Sequence, residues 1–304
     1  MTTAAAPRTD RRIIAAIGPS GQVLAAVAFT VVAWASAFVA IRGVRDSFDP
    51  GALALGRLLI GSVALGAVQL ARGSWVRPTR REWMLVAICG LAWFAIYNVV
   101  LNAAEGRVDA GTAAMLINVG PILIALLAGA LLGEGFPRWL LIGAGVAFAG
   151  AVLIGTATAR TASSDIVGVL LCLLAALSWA IGVMAQKPAL RRLPALQVTQ
   201  MACTIGAVIC LPFAGQLAHD VPNASAGSLA GIVYLGLVPT AVAFCTWAYA
   251  LSRMNAGRLG VATYLVPPLT IAIAWPALGE APPALALVGG VIALGGVALS
   301  RRHR

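Results

Sequence analysis

The chain has 304 residues, of which 61% are hydrophobic and only 10% charged, with a mean hydropathy of +0.94. So few polar groups cannot cover a water-soluble surface, and the charges stand in short clusters between long apolar runs, which excludes a soluble fold and marks membrane edges. The net charge of +11 does not indicate a nucleic-acid binder, because the basic residues form neither a stripe nor an aromatic-basic platform.

In chain order, Arg8, Arg11 and Arg12 precede a first apolar run at 22–41. At roughly 20 residues that run is long enough to span a bilayer, so it is expected to stay as a helix and not act as a cleaved signal. Further runs at 51–71, 83–104, 110–132, 138–157, 166–186, 195–216, 226–251, 257–278 and 283–300 bring the expected total to ten helices. No connection is long enough to fold alone; 72–82 reads as a basic turn and 216–228 as a loop of polar, Gly, Pro and Ala character. With the amino terminus in the cytoplasm, sixteen basic residues fall inside against four outside (Arg42, Arg45, Arg107 and Arg160). The positive-inside rule then puts both tails, 1–21 and 301–304, in the cytoplasm, as an even helix count requires.

Five cysteines, Cys89, Cys172, Cys203, Cys210 and Cys245, all lie in apolar stretches without CxxC spacing, so neither a disulfide framework nor a zinc site is expected. An intramembrane enzyme is disfavoured, because the only histidines, His219 and His303, fall in a connection and in the tail. No GxxxxGK[ST] sequence is present to recruit ATP, and no cofactor or metal is expected.

The chain repeats itself. Shifted by 146 residues, Ala110–Ile154 aligns without a gap on Ala256–Ser300, with 14 of 45 pairs identical. The pairs include Pro121 with Pro267, Gly133-Glu134 with Gly279-Glu280, and Gly143 and Gly150 with Gly289 and Gly296. The same shift pairs Gly90-Leu91 with Gly236-Leu237, and a shift of 145 pairs Trp34-Ala35 with Trp179-Ala180. Two halves, 22–157 and 166–300, of five helices each must enter the membrane from opposite faces. Such inverted repeats are a basis for alternating access.

These features resemble the drug/metabolite transporter superfamily, in its EamA-type ten-helix branch. The resemblance rests on Trp34-Ala35-Ser36-Ala37-Phe38, the helix carrying Arg57, the two Gly-Glu pairs and Ser178-Trp179-Ala180, and it extends over nearly the whole chain. It implies an all-α integral membrane protein of the bacterial inner membrane, with a central cavity lined by the first, third, fourth, sixth, eighth and ninth helices. It also implies the export of small metabolites or amino acids.

Polar groups at membrane depth tend to face such a cavity. Ser36, Tyr97, Asn98, Asn118, Thr263 and Tyr264 are the candidate cargo contacts, with Trp34 and Trp179 as aromatic walls. Asn118 and Tyr264 each stand three residues before a paired proline, Pro121 or Pro267, where a helix backbone is locally freed, and they lead the set. Against this stands the reading that Asn and Tyr bond helix to helix and that Trp is packing. Arg57 either extends its head to water at the outer edge or binds an anionic group such as a carboxylate. Glu134 and Glu280 end their helices and are expected to cap or gate, not carry protons; no Asp or Glu lies mid-membrane, so facilitated export or a less visible coupling site is expected. Hydroxyls, amides and aromatic faces suit a neutral or zwitterionic cargo, amino acids above all. A lipophilic-drug exporter is the alternative within the carriers, and a non-transporting membrane scaffold the alternative outside them. Glycine-rich faces on the fifth and tenth helices allow close helix approach, expected as contact within the monomer, with a dimer seam as the alternative.

Overall fold

In the computed structural model, residues 20–105, 107, 116–158, 166–278, 284–300 and 302 are described, and they are all helix, turn or connection. Glu280, most of the amino-terminal tail and the start of the expected fourth helix lie outside the described residues. The α-helices are α1 (Gly21–Val44), α2 (Pro50–Arg72), α3 (Arg80–Cys89), α4 (Tyr97–Glu105), α5 (Gly120–Leu131), α6 (Arg138–Thr158) and α7 (Ile166–Ala189). They continue as α8 (Ala195–Ile209), α9 (Ala214–Asn223), α10 (Ala226–Leu235), α11 (Ala243–Arg253), α12 (Ala256–Ala262), α13 (Val266–Leu278) and α14 (Ala284–Ser300).

Among the described residues, six helices are long and apolar enough to cross a membrane, and a seventh is added if the bent pair Ala195–Ile209 and Leu211–Asn223 is one span. Gly120–Leu131, Arg138–Gly150 and Leu287–Ser300 are shorter apolar helices. The long spans carry apolar residues outward, as Val63 and Leu70 of α2 and Ile166 of α7 show at 72%, 83% and 73% exposure, a surface suited to lipid.

Two spans carry a π-helical segment, at Gly90–Ile96 between α3 and α4 and at Gly236–Val242 between α10 and α11. These segments coincide at the 146-residue shift. In the second, Pro239 has no N–H to offer the Leu235 carbonyl one turn back, and the Thr240 hydroxyl donates to that carbonyl instead at 2.7 Å. In the first, the Asn98 amide donates to the carbonyls of Phe94 at 2.8 Å and Trp93 at 3.3 Å.

The structure corrects two sequence readings. The expected single span 195–216 bends by 52° at Leu211–Phe213, where Pro212 starts a short 3-10 turn. The connection read as a loop is the helix α9, in which Leu217 packs on the core and Pro222 stands in the last turn, one residue before the helix ends. Polar composition with Gly215 and Pro222 concealed an amphipathic surface helix.

α6 and α14 pack backbone against backbone. A Cβ placed on Gly296 would stand 2.3 Å from the Ala147 nitrogen, and one on Gly150 would stand 2.5 Å from the Ala293 nitrogen. The two backbones therefore touch, within one molecule, through the small residues of the repeat.

Candidate functional site

Between the helices, where a central cavity is expected, the described residues pack aromatic rings. α1, the first π segment, α7 and α11 each supply one tryptophan: Trp34, Trp93, Trp179 and Trp247. The Trp34 ring centroid lies 5.0 Å from that of Trp247, 6.0 Å from Trp93 and 6.4 Å from Trp179. Phe244 joins them at 4.8 Å from Trp93 and 5.6 Å from Trp34, and Phe94 stacks on Phe244 at 4.5 Å. Such edge-on and tilted contacts are the favourable aromatic geometries.

The indole nitrogens are not equally satisfied. Trp34 Nε1 donates to the Pro239 carbonyl at 3.3 Å. The Nε1 atoms of Trp179 and Trp247 are buried without a hydrogen-bond partner. Buried indole N–H groups ordinarily find an acceptor, and these two donors find none among the described residues.

The polar candidates divide by what they already hold. Tyr264 is fully buried and its hydroxyl donates to the Asn118 carbonyl at 2.9 Å, so these two residues join the helix breaks before Pro121 and Pro267. Both prolines sit at the start of a helix, α5 and α13, where a missing N–H costs nothing. Thr263, just past the end of α12, donates to the Gly260 carbonyl of that helix at 2.6 Å. Asn98 is committed to the first π segment, and its neighbour Asn102 donates to the Pro50 carbonyl at 3.0 Å. Ser36 shares a hydrogen bond with the Tyr234 hydroxyl at 2.6 Å, and Tyr97 is half-buried beside the aromatic cluster.

Arg57 does not reach for water. It is 5% exposed, and its Nε donates at 3.0 Å to the Thr240 hydroxyl, which in turn holds the second π segment. A segment with a displaced carbonyl ladder offers acceptors inside the protein, so the outward extension expected from sequence is corrected.

Glu134 caps a helix, but one far along the chain. Its Oε1 accepts from the Ala256 N–H at 2.8 Å and its Oε2 from the Gly257 N–H at 3.2 Å, at the start of α12. Gly133, at φ 68°, takes the left-handed conformation that turns the chain after α5 and presents the carboxylate there. On the preceding turn, the Lys187 ammonium donates to the carbonyls of Leu251 and Met254 at the end of α11. An anion on a helix start and a cation on a helix end each complement the local backbone charge. Glu134→Ala is expected to lower stability by about 1–2 kcal/mol, the range of a lost helix cap, read as a lower melting temperature in detergent micelles.

The same end of the bundle carries two further ties between distant segments. Gln197 bonds both the N–H and the carbonyl of Val76, at 2.9 and 2.7 Å, and Arg192 pairs with Glu82 through Nε at 2.8 Å. A cavity of about 290 Å3 opens here, bordered by Glu134, Pro137, Leu140, Asn255 and Arg258, away from the indoles. Among the described residues, no group of three or more His, Cys, Asp or Glu side chains could hold a metal ion.

Apolar helices of spanning length around a buried aromatic centre define a multi-pass helical membrane protein, and comparison with known proteins makes it a transporter. The chain belongs to the EamA-like transporter family, which it matches over residues 21–156 and again over 166–302. It is 38% identical over 278 residues to a probable terminal-alkyne amino-acid exporter of Streptantibioticus cattleyicolor, covering 91% of this chain and 93% of that one. It is 34% identical over 282 residues to the uncharacterized transporter YdfC of Bacillus subtilis, covering 91% and 90%. A probable amino-acid metabolite efflux pump of Salmonella typhimurium is 24% identical over 276 residues, covering 88% and 90%. A solved crystal structure, 23% identical, matches the fold with a TM-score of 0.77 over 93% of this chain and 98% of that one.

Sequence reasoning reached Trp34 and Trp179 but missed Trp93 and Trp247. At the 146-residue shift Trp93 meets Pro239 and Trp247 meets Leu101, so no repeat signal pointed to them. Their position inside apolar runs was the remaining signal.

Proposed function

We propose that the protein is a secondary carrier that exports small zwitterionic metabolites, amino acids foremost, across the bacterial inner membrane by alternating access. The observation that carries this reading is the pair of unpartnered indole donors, Trp179 Nε1 and Trp247 Nε1, inside a four-tryptophan cluster. A carboxylate accepts from those donors, an ammonium group sits against aromatic faces, and an apolar side chain packs among the rings. The names of the relatives from Streptantibioticus and Salmonella favour the same cargo class.

In this reading ten helices cross the bilayer as two antiparallel halves, 22–157 and 166–300, with both termini in the cytoplasm. The matched π segments and matched helix breaks support that symmetry, and the family match to each half agrees with it. Glu134 and its repeat partner Glu280 serve as helix-end or gating groups, Asn118 and Tyr264 as the joint between the breaks, and Arg57 as the anchor of the second π segment.

The test is a competition panel in proteoliposomes, using labelled amino acids, nucleosides and cationic dyes with and without a pH gradient. Amino acids are expected to move and to compete with one another. Movement of dyes alone would support the lipophilic-drug exporter, and movement of nothing would support the scaffold.

A further inference from the structure

Gln186 lies in α7 with no exposed surface, and neither its amide nitrogen nor its amide oxygen has a hydrogen-bond partner. The other buried amides hold at least one partner each: both polar atoms of Gln197 bond Val76, the Asn98 nitrogen bonds the first π segment, and Asn102, whose oxygen is unpartnered, donates through its nitrogen to the Pro50 carbonyl. An amide that served only packing would have been matched or replaced by an apolar group of the same size.

Its location is specific. Gln186 stands seven residues after Trp179 and four after Gly182, so all three share one helix face, spread over about 10 Å. That face meets the aromatic cluster, since a Cβ on Gly182 would stand 2.4 Å from the Trp93 Cβ. The next residue, Lys187, grips the carbonyl end of α11, the helix that carries Trp247. Gln186 is thus on the indole-bearing face, between the indoles and the end of the bundle tied by Arg192, Gln197 and Glu134.

We infer that Gln186 is a second polar station of the cargo path, which reads the paired carboxylate and ammonium groups of an amino acid. A carboxamide presents one acceptor and two donors without net charge. It can donate to a carboxylate and accept from an ammonium at once, and it gives a lone cation or a lone anion only half of that match. The inference rests on the amino-acid carrier reading above and adds the residue that separates a zwitterion from its singly charged analogues.

The experiment measures binding of L-norvaline, butylamine and pentanoate to the full-length protein in micelles, with the melting temperature of the cargo-free protein as a second readout. The wild type is expected to favour norvaline over both analogues. Gln186→Leu and Gln186→Met are expected to weaken norvaline binding about tenfold or more, to weaken the two analogues by a smaller factor so that the preference for norvaline shrinks, and to raise the melting temperature, because an unpartnered buried amide is replaced by an apolar group of similar size. Unchanged norvaline preference in both variants, or a lowered melting temperature, would overturn the inference, the latter by making the amide structural. Failure of the wild type itself to bind norvaline would overturn the amino-acid carrier reading, and this inference with it.

Discussion

Gly296→Val is expected to destabilise the protein by about 3 kcal/mol or more, the upper end of the cost of overpacking, whereas Gly295→Val one residue earlier is expected to change little. A Cβ on Gly296 would stand 2.3 Å from the Ala147 nitrogen and 2.7 Å from the Gly143 carbonyl oxygen, while one on Gly295 meets nothing within 4 Å. Backbone atoms in contact cannot move aside as a side-chain tip does, so α6 and α14 would have to separate. In lipid no hydrophobic effect brings helices together, and van der Waals contact of this kind supplies much of the association energy. Melting curves of the two variants in the same detergent check the expectation, because their helix propensities and added volumes are equal. Equal melting temperatures would remove the close α6–α14 contact from the account.

Trp179→Phe and Trp247→Phe are each expected to weaken amino-acid binding by about 10- to 100-fold, the equivalent of a lost hydrogen bond to a charged group at ~1.5–3 kcal/mol. Phenylalanine keeps an aromatic ring on Cβ at each position and removes the N–H together with the volume of the outer part of the indole. Neither donor has a partner in the protein, so stability is not expected to fall by the cost of a broken bond. Trp34→Phe provides the contrast: its N–H already holds the Pro239 carbonyl, and its loss is expected to lower stability by about 1 kcal/mol. Titration of labelled cargo onto the three variants, with melting temperatures beside it, separates the two behaviours.

Composition and repeats made much of this architecture legible. Long apolar runs bounded by arginine announce membrane helices, and the paired prolines at 121 and 267, expected inside the spans 110–132 and 257–278 where a helix backbone is freed, stand at the heads of α5 and α13. The paired Gly90 and Gly236 stand at the first residues of the two π segments. The distribution of polar roles was not legible, because a side chain's identity does not say what its neighbours' backbone lacks. Asn98 looks like a lumen residue until Trp93 and Phe94 are seen to have carbonyls released by a π segment. Arg57 looks like a membrane-edge cation until Thr240 is placed beside it. Gln186 is the last residue of the expected span 166–186, next to Lys187, and nothing in that position signals that it is wholly buried.

The most direct test of the antiparallel halves is the sidedness of matched positions. In a background with half-buried Cys245 replaced by serine, a cysteine at exposed Ser74 in the first half or at exposed His219 in the second is labelled with a membrane-impermeant maleimide, in sealed right-side-out and inside-out vesicles. The account predicts that Ser74→Cys reacts only from the cytoplasmic face and His219→Cys only from the outer face. Labelling of both positions from the same face would contradict it.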